Sequence, residues 1–567
     1  MNSGDSPAKN AADHPADSPK STKSGDVRKL GFLLLLFILP FLYLQQRTEI
    51  KQAWGEHWHA INYDPAYAYL FNGLNIATGK PPYHVDHPGT PVQMWTAILI
   101  RLGSLHSDTS QISENVIQDA PTWIDLSTLS IAWLVSAAIL FAGVFVWMVN
   151  RNIVQALVMQ SGFLLVPTFA AYSVRLDAEG MLVAIGTIFS ATLIASVYCK
   201  PQKIAFFEFA LGFIFAVAVA TKITFLMNFL LIPGFLFRPE RWKKTAPIVA
   251  LGGTVGLALS LWPVFPELSR SMHFWTKIAS RQGYYGEGSP GLPDWNVWLN
   301  SAIELLRGNI MVVLLAIAIP SILLVIAARS HFSKKGGGKE NETTKALLLP
   351  CLSIFATIVV QTILVAKHPA QHYLLAGYPM AILGAALALG VLKNSLTLRH
   401  FAIASFGLVS LYFGFLLEAN NRTLNEWAQI HSARKEFLAR DLLQIATIEP
   451  GLRRSFYFGS SSPTYALHFG NGYSGNRYGT QLESIYPNQL NFVIWNHRFI
   501  FSTGFIVPGA DPDSTGKFLF VGPMDSDALT KLLARGDLDF ELTPMYDSTY
   551  SHAAVVEFHE KPQESPQ

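Results

Sequence analysis

Apolar runs recur along most of the chain, separated by short polar or basic connections, and stop near residue 417. The first, Gly31–Leu44, follows the basic pair Arg28 and Lys29. Further runs cover Leu129–Val149, Ile153–Tyr172, Met181–Tyr198, Ile204–Ala220, Ile223–Phe237, Thr245–Val264, Ile310–Ala328, Ala346–Ala366, Leu374–Leu392 and Phe401–Leu417. A hydrocarbon core of about 30 Å asks for roughly 20 apolar residues in a helix. The pattern predicts a polytopic α-helical membrane protein with about eleven transmembrane helices.

The connections carry the orientation. With the N-terminus inside, the cytoplasmic side receives Arg151, Lys200 to Lys203, Arg238 to Lys244, Arg329 to Lys345 (with Lys334, Lys335 and Lys339 in a Gly-rich linker) and Lys393 to Arg399. Each connection is basic, as cytoplasmic loops are. The opposite, outer side then holds the loop Arg47–Asp125, the turn Ser173–Gly180, the loop Glu267–Asn309 and the C-terminal tail. Within those loops, Val92–Leu105 and Asp294–Leu306 are too short to span and suit helices lying in the interface, the latter anchored by Trp295 and Trp298. The N-terminal stretch Met1–Asp26 is rich in Ser, Lys, Asp and Pro and reads as disordered. Its end together with the short run Gly31–Leu44 also reads as a signal peptide. The long basic region and the absence of a small-x-small cleavage site favour an uncleaved first helix.

From Asn420 the pattern becomes that of a soluble protein, roughly 150 residues that can form their own core. Ser455–Phe458 and Phe518–Val521 predict short buried strands, Asp525–Arg535 a helix, and Ala553–Phe558 an alternating strand. The organisation expected is a tail over 1–28, a membrane domain over 29–418 with outer loops 46–128 and 266–309, and a periplasmic α/β domain over 419–567.

Composition agrees with this reading and narrows it. Of 567 residues, 50% are hydrophobic and 14% charged, and the formal net charge is +3. That charge is too small to imply a nucleic-acid partner. Cys199 and Cys351 both end apolar runs, so neither a disulfide framework nor a metal-ligand spacing is implied.

The chemistry-bearing residues gather on the outer side. Tyr63 to Gln93 reads YDPAYAYLFNGLNIATGKPPYHVDHPGTPVQ, a polar and aromatic loop just after the first span. It holds Asp64, Tyr67 and the proline-bracketed turn Asp86-His87-Pro88-Gly89. Taken singly, each acid is also an ordinary turn or cap. After the third run come Arg175, Asp177 and Glu179 at alternate positions. Lys222 interrupts two apolar runs with almost no loop between them, where a charge is costly unless it snorkels or is paired. Its alternatives are an anionic ligand or an ion pair with Asp177 or Glu179. Lys367, His372 and Tyr373 form a cationic aromatic cluster at a later helix entrance, and Arg270, His273, Lys277 and Arg281 add charge to an amphipathic stretch. Several cations beside a few carboxylates suit a lipid phosphate with an acid–base group alongside.

The order and sidedness of these features resemble a glycosyltransferase of the GT-C superfold. They are, in sequence, an early outer-loop acid, an acid–basic–Pro turn, an Arg-x-Asp-x-Glu span end, a Thr-Lys hairpin and a late Lys/His-to-Tyr loop. More narrowly, Lys29 to Leu417 resembles the protein O-mannosyltransferase and lipid A aminoarabinose transferase group, glycosyltransferase family 39 and relatives. The chain departs from that pattern where Gly89 replaces a second proline and Pro65 stands where a second acid often follows the first.

The resemblance implies a GT-C-like membrane domain in a bacterial inner membrane. Its implied function is inverting transfer of a sugar from a polyprenyl-phosphate donor to a lipid, glycan or protein acceptor on the periplasmic side. Asp64 matches the catalytic acid and would serve as general base. His87, Arg175, Lys222, Lys367 and His372 are candidates for binding the donor phosphate. Asp86, Asp177, Glu179, Tyr67, Tyr373 and Arg270 are candidates for the rest of the substrate. No cofactor is required. A divalent cation held by Asp64, Asp86 and a histidine would also serve, but no spacing demands one. Other classes with many spans are a secondary transporter or lipid flippase and a polytopic sugar polymerase or ligase. The missing internal repeat and the long early outer loop count against them.

Overall fold

A computed structural model describes residues 23–59, 62–85, 89–165, 169, 172–198, 203–282, 288–291, 295–308, 348–376, 383–384, 386–387, 389, 398–452, 454–487, 490–493, 498–501, 504–505, 517–534, 540–549 and 551–558. The expected span Ile310–Ala328, the Gly-rich linker and the turn residues Asp86, His87 and Pro88 lie outside the described residues.

The described helices are α1 (Lys23–Trp54), α2 (Tyr63–Ala77), α3 (Thr90–Gly103), α4 (Thr109–Gln118), α5 (Ala120–Asn150), α6 (Ile153–Gln160), α7 (Ala178–Tyr198), α8 (Ile204–Thr221), α9 (Leu231–Leu236), α10 (Trp242–Leu261), α11 (Leu268–Ser280), α12 (Trp295–Gly308), α13 (Leu348–Val365), α14 (Leu398–Thr447), α15 (Pro463–Tyr473), α16 (Gly479–Ile485) and α17 (Ser526–Ala534). Among the described residues five stretches are long and apolar enough to cross a membrane: Gly31–Trp54, Ala120–Asn150, Ala178–Tyr198, Ile204–Thr221 and Trp242–Ser280. The chain is a polytopic helical membrane protein.

The other expected spans differ from a simple count of eleven. Ile153–Leu164, Ile223–Leu236 and Leu349–Val365 are shorter apolar helices. The Ile223 run opens as a 3-10 helix over Ile223–Leu230 and continues as the short α9, which contains Pro233 and Gly234. Leu374–Leu392 is described only in pieces, and Phe401–Leu417 forms the first part of the 50-residue α14.

Close packing of α8 on α10 depends on small residues. A Cβ on Gly212 would lie 2.0 Å from the Val249 carbonyl oxygen, and one on Gly252 would lie 2.1 Å from that of Phe209. Backbone contact of this kind is how helices associate where lipid removes the hydrophobic driving force. At the basic end of the pair, buried Glu208 accepts from Arg241 Nε at 3.1 Å and Thr245 Oγ1 at 2.7 Å.

The stretch after the first span is not the open loop its polarity suggested. Nearly every residue of α2 from Ala66 to Asn75 is buried, because its apolar and aromatic side chains surround the helix instead of lining one face. The expected interface helix, α3, also turns Val92, Gln93, Thr96, Ala97 and Ile100 inward, leaving Ile98 and Leu102 outside. Trp95 Nε1 donates to Ser130 Oγ at 2.8 Å on α5.

The C-terminal part is α/β; the three expected strands lie within a residue or two of their places, and four further described strands were not expected. Strands β1 (Arg454–Phe456), β2 (Leu490–Val493), β3 (Arg498–Phe501), β4 (Gly504–Phe505), β5 (Lys517–Gly522), β6 (Phe540–Asp547) and β7 (His552–Phe558) form one sheet in the order β4-β3-β2-β1-β5-β7-β6. Central β1 runs parallel to both β2 and β5, and the other pairs are antiparallel. Both faces of β5 are covered. Phe518 and Phe520 pack with Leu529 and Leu532 of α17, while Leu519 and Val521 pack with Ile445 of α14. α14 runs unbroken across residue 419 into this unit, and its buried Asp441 accepts from Tyr546 Oη at 2.8 Å and Ser548 Oγ at 2.6 Å.

This unit packs on α2, so the first loop and the C-terminal part share one side of the membrane. Gly470 of α15 sits against Phe71 and the Tyr67 carbonyl, and Tyr478 Oη donates to Asn75 Oδ1 at 3.0 Å. We expect cysteines placed at exposed Lys80 and Gly451, in a background lacking Cys199 and Cys351, to react with an impermeant thiol reagent from one side. A cysteine at exposed Lys243 should react from the other. Shared labelling of Lys243 and Lys80 positions would refute the arrangement.

Candidate functional site

Four segments meet at one end of the spans. Asp64 stands at the entry to α2 with an extended backbone, φ −96° and ψ 122°, before the helix proper begins. Arg175 Nη2 donates to the Asp64 carbonyl oxygen at 2.7 Å, which ties the first loop to the turn ahead of α7. The Arg175 guanidinium lies over the rings of Tyr172 at 5.7 Å and Trp54 at 5.8 Å, cation–π contacts that hold it in plane. Its Nε is buried without a hydrogen-bond acceptor, and the nearest carboxylate, Asp177, is 3.7 Å away.

Asp177 caps α7, accepting from the Glu179 amide at 3.1 Å and the Gly180 amide at 3.4 Å. One residue into the helix, Glu179 forms an ion pair with Lys222, and both side chains are buried. Lys222 reaches it because α8 ends there: φ −154° and ψ 124° turn the chain out of the helix while its amide still bonds Ala218 O at 2.9 Å. The Lys222 ammonium also lies 4.5 Å from the centre of the Tyr373 ring, and His372 Nε2 is 4.0 Å from Glu179 Oε1.

Gly89 lies on the same corner. Gly89 N donates to Thr221 O at 3.1 Å, and its φ of +54° with a Cβ position 2.6 Å from the Tyr69 ring admits only glycine comfortably. Asp86 and His87 themselves lie outside the described residues.

Electrostatics divide these groups. Burial raises the Asp64 carboxyl above the usual range, against the pull of Arg175 and His84. Burial and the adjacent Glu179 charge push Asp177 well up. His372 is lowered to about 4 by burial and by Lys222, so it is neutral near pH 7 and can offer a hydrogen bond, not a charge. Arg175 and Lys222 thus stand among three acids, Asp64, Asp177 and Glu179, of which Glu179 is tightly paired.

Of the expected site residues, the structure joins Asp64, Arg175, Asp177, Glu179, Lys222, His372 and Tyr373. It places three elsewhere. Lys367 donates to the carbonyls of Ile278 and Arg281 at the end of α11, the role of a basic residue at a helix C-terminus. The Arg270 guanidinium lies 3.5 Å from the Tyr83 ring centre, and Tyr67 is buried in the core. Sequence reasoning missed Trp54, Tyr172 and His84, which surround Arg175 and Asp64. Only their position beside chosen residues could have signalled them. Among the described residues no group of three His, Cys, Asp or Glu side chains has a metal-binding arrangement.

The sequence matches no known family model and no curated protein. Two solved structures are similar over nearly their whole length. One is ArnT from Cupriavidus metallidurans bound to undecaprenyl phosphate, at 12% identity and TM-score 0.48, covering 94% of this chain and 98% of that one. The other is the same protein in the apo state, at 11% identity and TM-score 0.48 with the same coverage. ArnT is a lipid A aminoarabinose transferase of GT-C fold, the group that the order of motifs resembles.

Lys222 therefore has a counterion already, unlike a cation kept solely for a ligand. Lys222→Met should strand a buried Glu179 and cost about 3–5 kcal/mol. Lys222→Met with Glu179→Leu should recover much of that loss. Thermal unfolding in detergent checks both, and an unaltered midpoint in the single variant would show that the pair carries no stability.

Proposed function

We propose that this chain is an inverting membrane glycosyltransferase. It moves a sugar from a polyprenyl-phosphate donor to a lipid, glycan or protein acceptor on the periplasmic face of a bacterial inner membrane. The observation that supports this most is Arg175: a cation bonded to the backbone of Asp64, with a buried Nε donor that has no hydrogen-bond acceptor of its own. Such a donor beside a carboxyl of raised basicity is what a phosphate leaving group and an attacking hydroxyl need together.

In this reading the acceptor hydroxyl oxygen forms a bond to the anomeric carbon as its proton passes to the Asp64 carboxylate. The bond from that carbon to the phosphate oxygen breaks, and the lipid phosphate departs with the electron pair. Arg175 receives the developing phosphate charge. Lys222 shares its charge between Glu179 and the phosphate, and His87 is assigned to the phosphate as well. His372 and Tyr373 line the same corner and contact the sugar or phosphate as neutral groups. The chemistry needs no cofactor. Positive-inside loops put Arg151, Lys203 and Lys243 in the cytoplasm and the site outside.

Asp64→Asn should keep the fold and donor binding while lowering turnover about 10²–10⁴-fold. The pH dependence follows from the raised carboxyl. The active carboxylate appears only as pH climbs through a value above the ordinary range of about 4, so kcat rises along a displaced acid limb. Purified protein assayed with a panel of polyprenyl-phosphate hexoses and pentoses checks both. Full transfer by a well-folded Asp64→Asn protein would remove Asp64 as the base.

A further inference from the structure

Tyr63, immediately before Asp64, is held by the C-terminal unit. Its side chain is wholly buried, and its hydroxyl oxygen accepts from the Gly459 amide. The ring sits among Phe469 at 5.1 Å, Tyr465 at 5.5 Å and Phe458 at 5.9 Å, each edge-on or nearly so. All three belong to the C-terminal unit.

The turn that supplies Gly459 is itself rigidly placed. It leaves the carboxyl end of β1, the central strand with parallel neighbours on both sides. Tyr457 N donates to Val521 O at 3.0 Å, Ser460 Oγ donates to the same carbonyl at 2.8 Å, and Ser460 N closes the turn on Tyr457 O at 3.0 Å. Gly459 has φ +92° and its Cβ position lies 3.0 Å from Pro523, so a side chain there would be strained. The crevice beyond the carboxyl ends of parallel strands is where open α/β sheets bring ligands. Here that end meets the segment bearing Asp64.

The same unit holds the rest of α2 and the loop beyond it. Asn72 Nδ2 donates to Tyr473 O at 2.9 Å, while Asn72 Oδ1 takes the amides of Tyr83 and His84 at 2.6 and 3.0 Å. Arg477 donates to the Pro81 carbonyl, and Gly475 lies against the Tyr83 ring. From Tyr63 to His84, the chain that carries Asp64 is gripped on one side by helices and on the other by this unit.

We infer that the C-terminal α/β unit is part of the site: the Gly459 turn holds Tyr63 and thereby sets the position of Asp64. Tyr63 is a positioning residue, acting through its neighbour without touching the substrate. The kinetic consequence rests on the transferase reading above. The mechanical one does not.

Tyr63→Phe keeps the ring in its aromatic box and removes only the acceptor for the Gly459 amide. Hydrogen exchange in the full-length protein should quicken at Gly459 and across residues 63–69 while the unfolding midpoint stays close to that of the unmodified protein. With polyprenyl-phosphate sugar, kcat should fall about 10- to 100-fold with little change in donor KM, as expected for a misplaced base. In an Asp64→Asn background the same change should cost nothing further. Gly470→Ala is the second variant: its Cβ would meet Phe71 at 2.6 Å and Tyr67 O at 2.8 Å, prising the unit off α2. It should give the same pattern of faster exchange and lower kcat.

Unchanged exchange in both variants overturns the inference. So does faster exchange with full kcat, or an equal loss in the Asp64→Asn background. If the unmodified protein transfers no sugar from any such donor, the transferase reading fails, and exchange alone then decides whether the unit holds Tyr63.

Discussion

The cost of placing charge at the end of a membrane helix governs this structure. Lys222 and Glu179 sit where neither could stand alone, and each is tolerable because the other is there. Meeting that demand brings the end of α8 against the start of α7. Asp177 caps the same helix start, Arg175 hangs from the turn before it, and Tyr373 covers the ammonium. Once the pair forms, four segments distant in sequence have their ends within reach of one another. The charged cluster is thus a structural necessity and a candidate site at once.

Arg175 links that cluster to the first loop. Its hydrogen bond to the Asp64 carbonyl fixes backbone, while Tyr172 and Trp54 hold its plane. Trp54 in turn stacks on His431 of α14 at 4.7 Å, so the long helix that enters the C-terminal unit also supports the arginine from behind. The unit reaches the site by two routes, through α14 and through the Gly459 turn. An appendage joined by a linker would do neither.

Much of the architecture was legible in one dimension because membranes impose strong local rules. Apolar runs marked α7, α8 and α10 to within a turn, while α1 extends eight residues before and ten beyond its run and α5 begins nine residues before its own. A short apolar run marked β5, and alternation marked β7. Where local pattern is weak, the reading slipped. α2 reads as a polar loop because Tyr, Asn and Gly intersperse its apolar residues. Those same residues are buried once the C-terminal unit covers them, with Asn72 satisfied by Tyr473, Tyr83 and His84. α3 reads as an interface helix but turns half its surface into the core.

By itself, then, the order of residues determined that the chain enters the membrane repeatedly, which connections are basic, that an α/β unit follows, and that acids and cations cluster by side. Those properties come from hydropathy and periodicity, which neighbouring residues decide. Only the tertiary structure decided which charges pair. Lys367 and Lys222 look alike as lysines beside apolar helices, yet one caps a helix end at Ile278 and Arg281 while the other neutralises Glu179. It also decided that Tyr63 answers to Gly459, almost four hundred residues away. Pairing of buried charges and hydrogen bonds depends on distances in space, and spacing along a chain of many spans does not encode those distances.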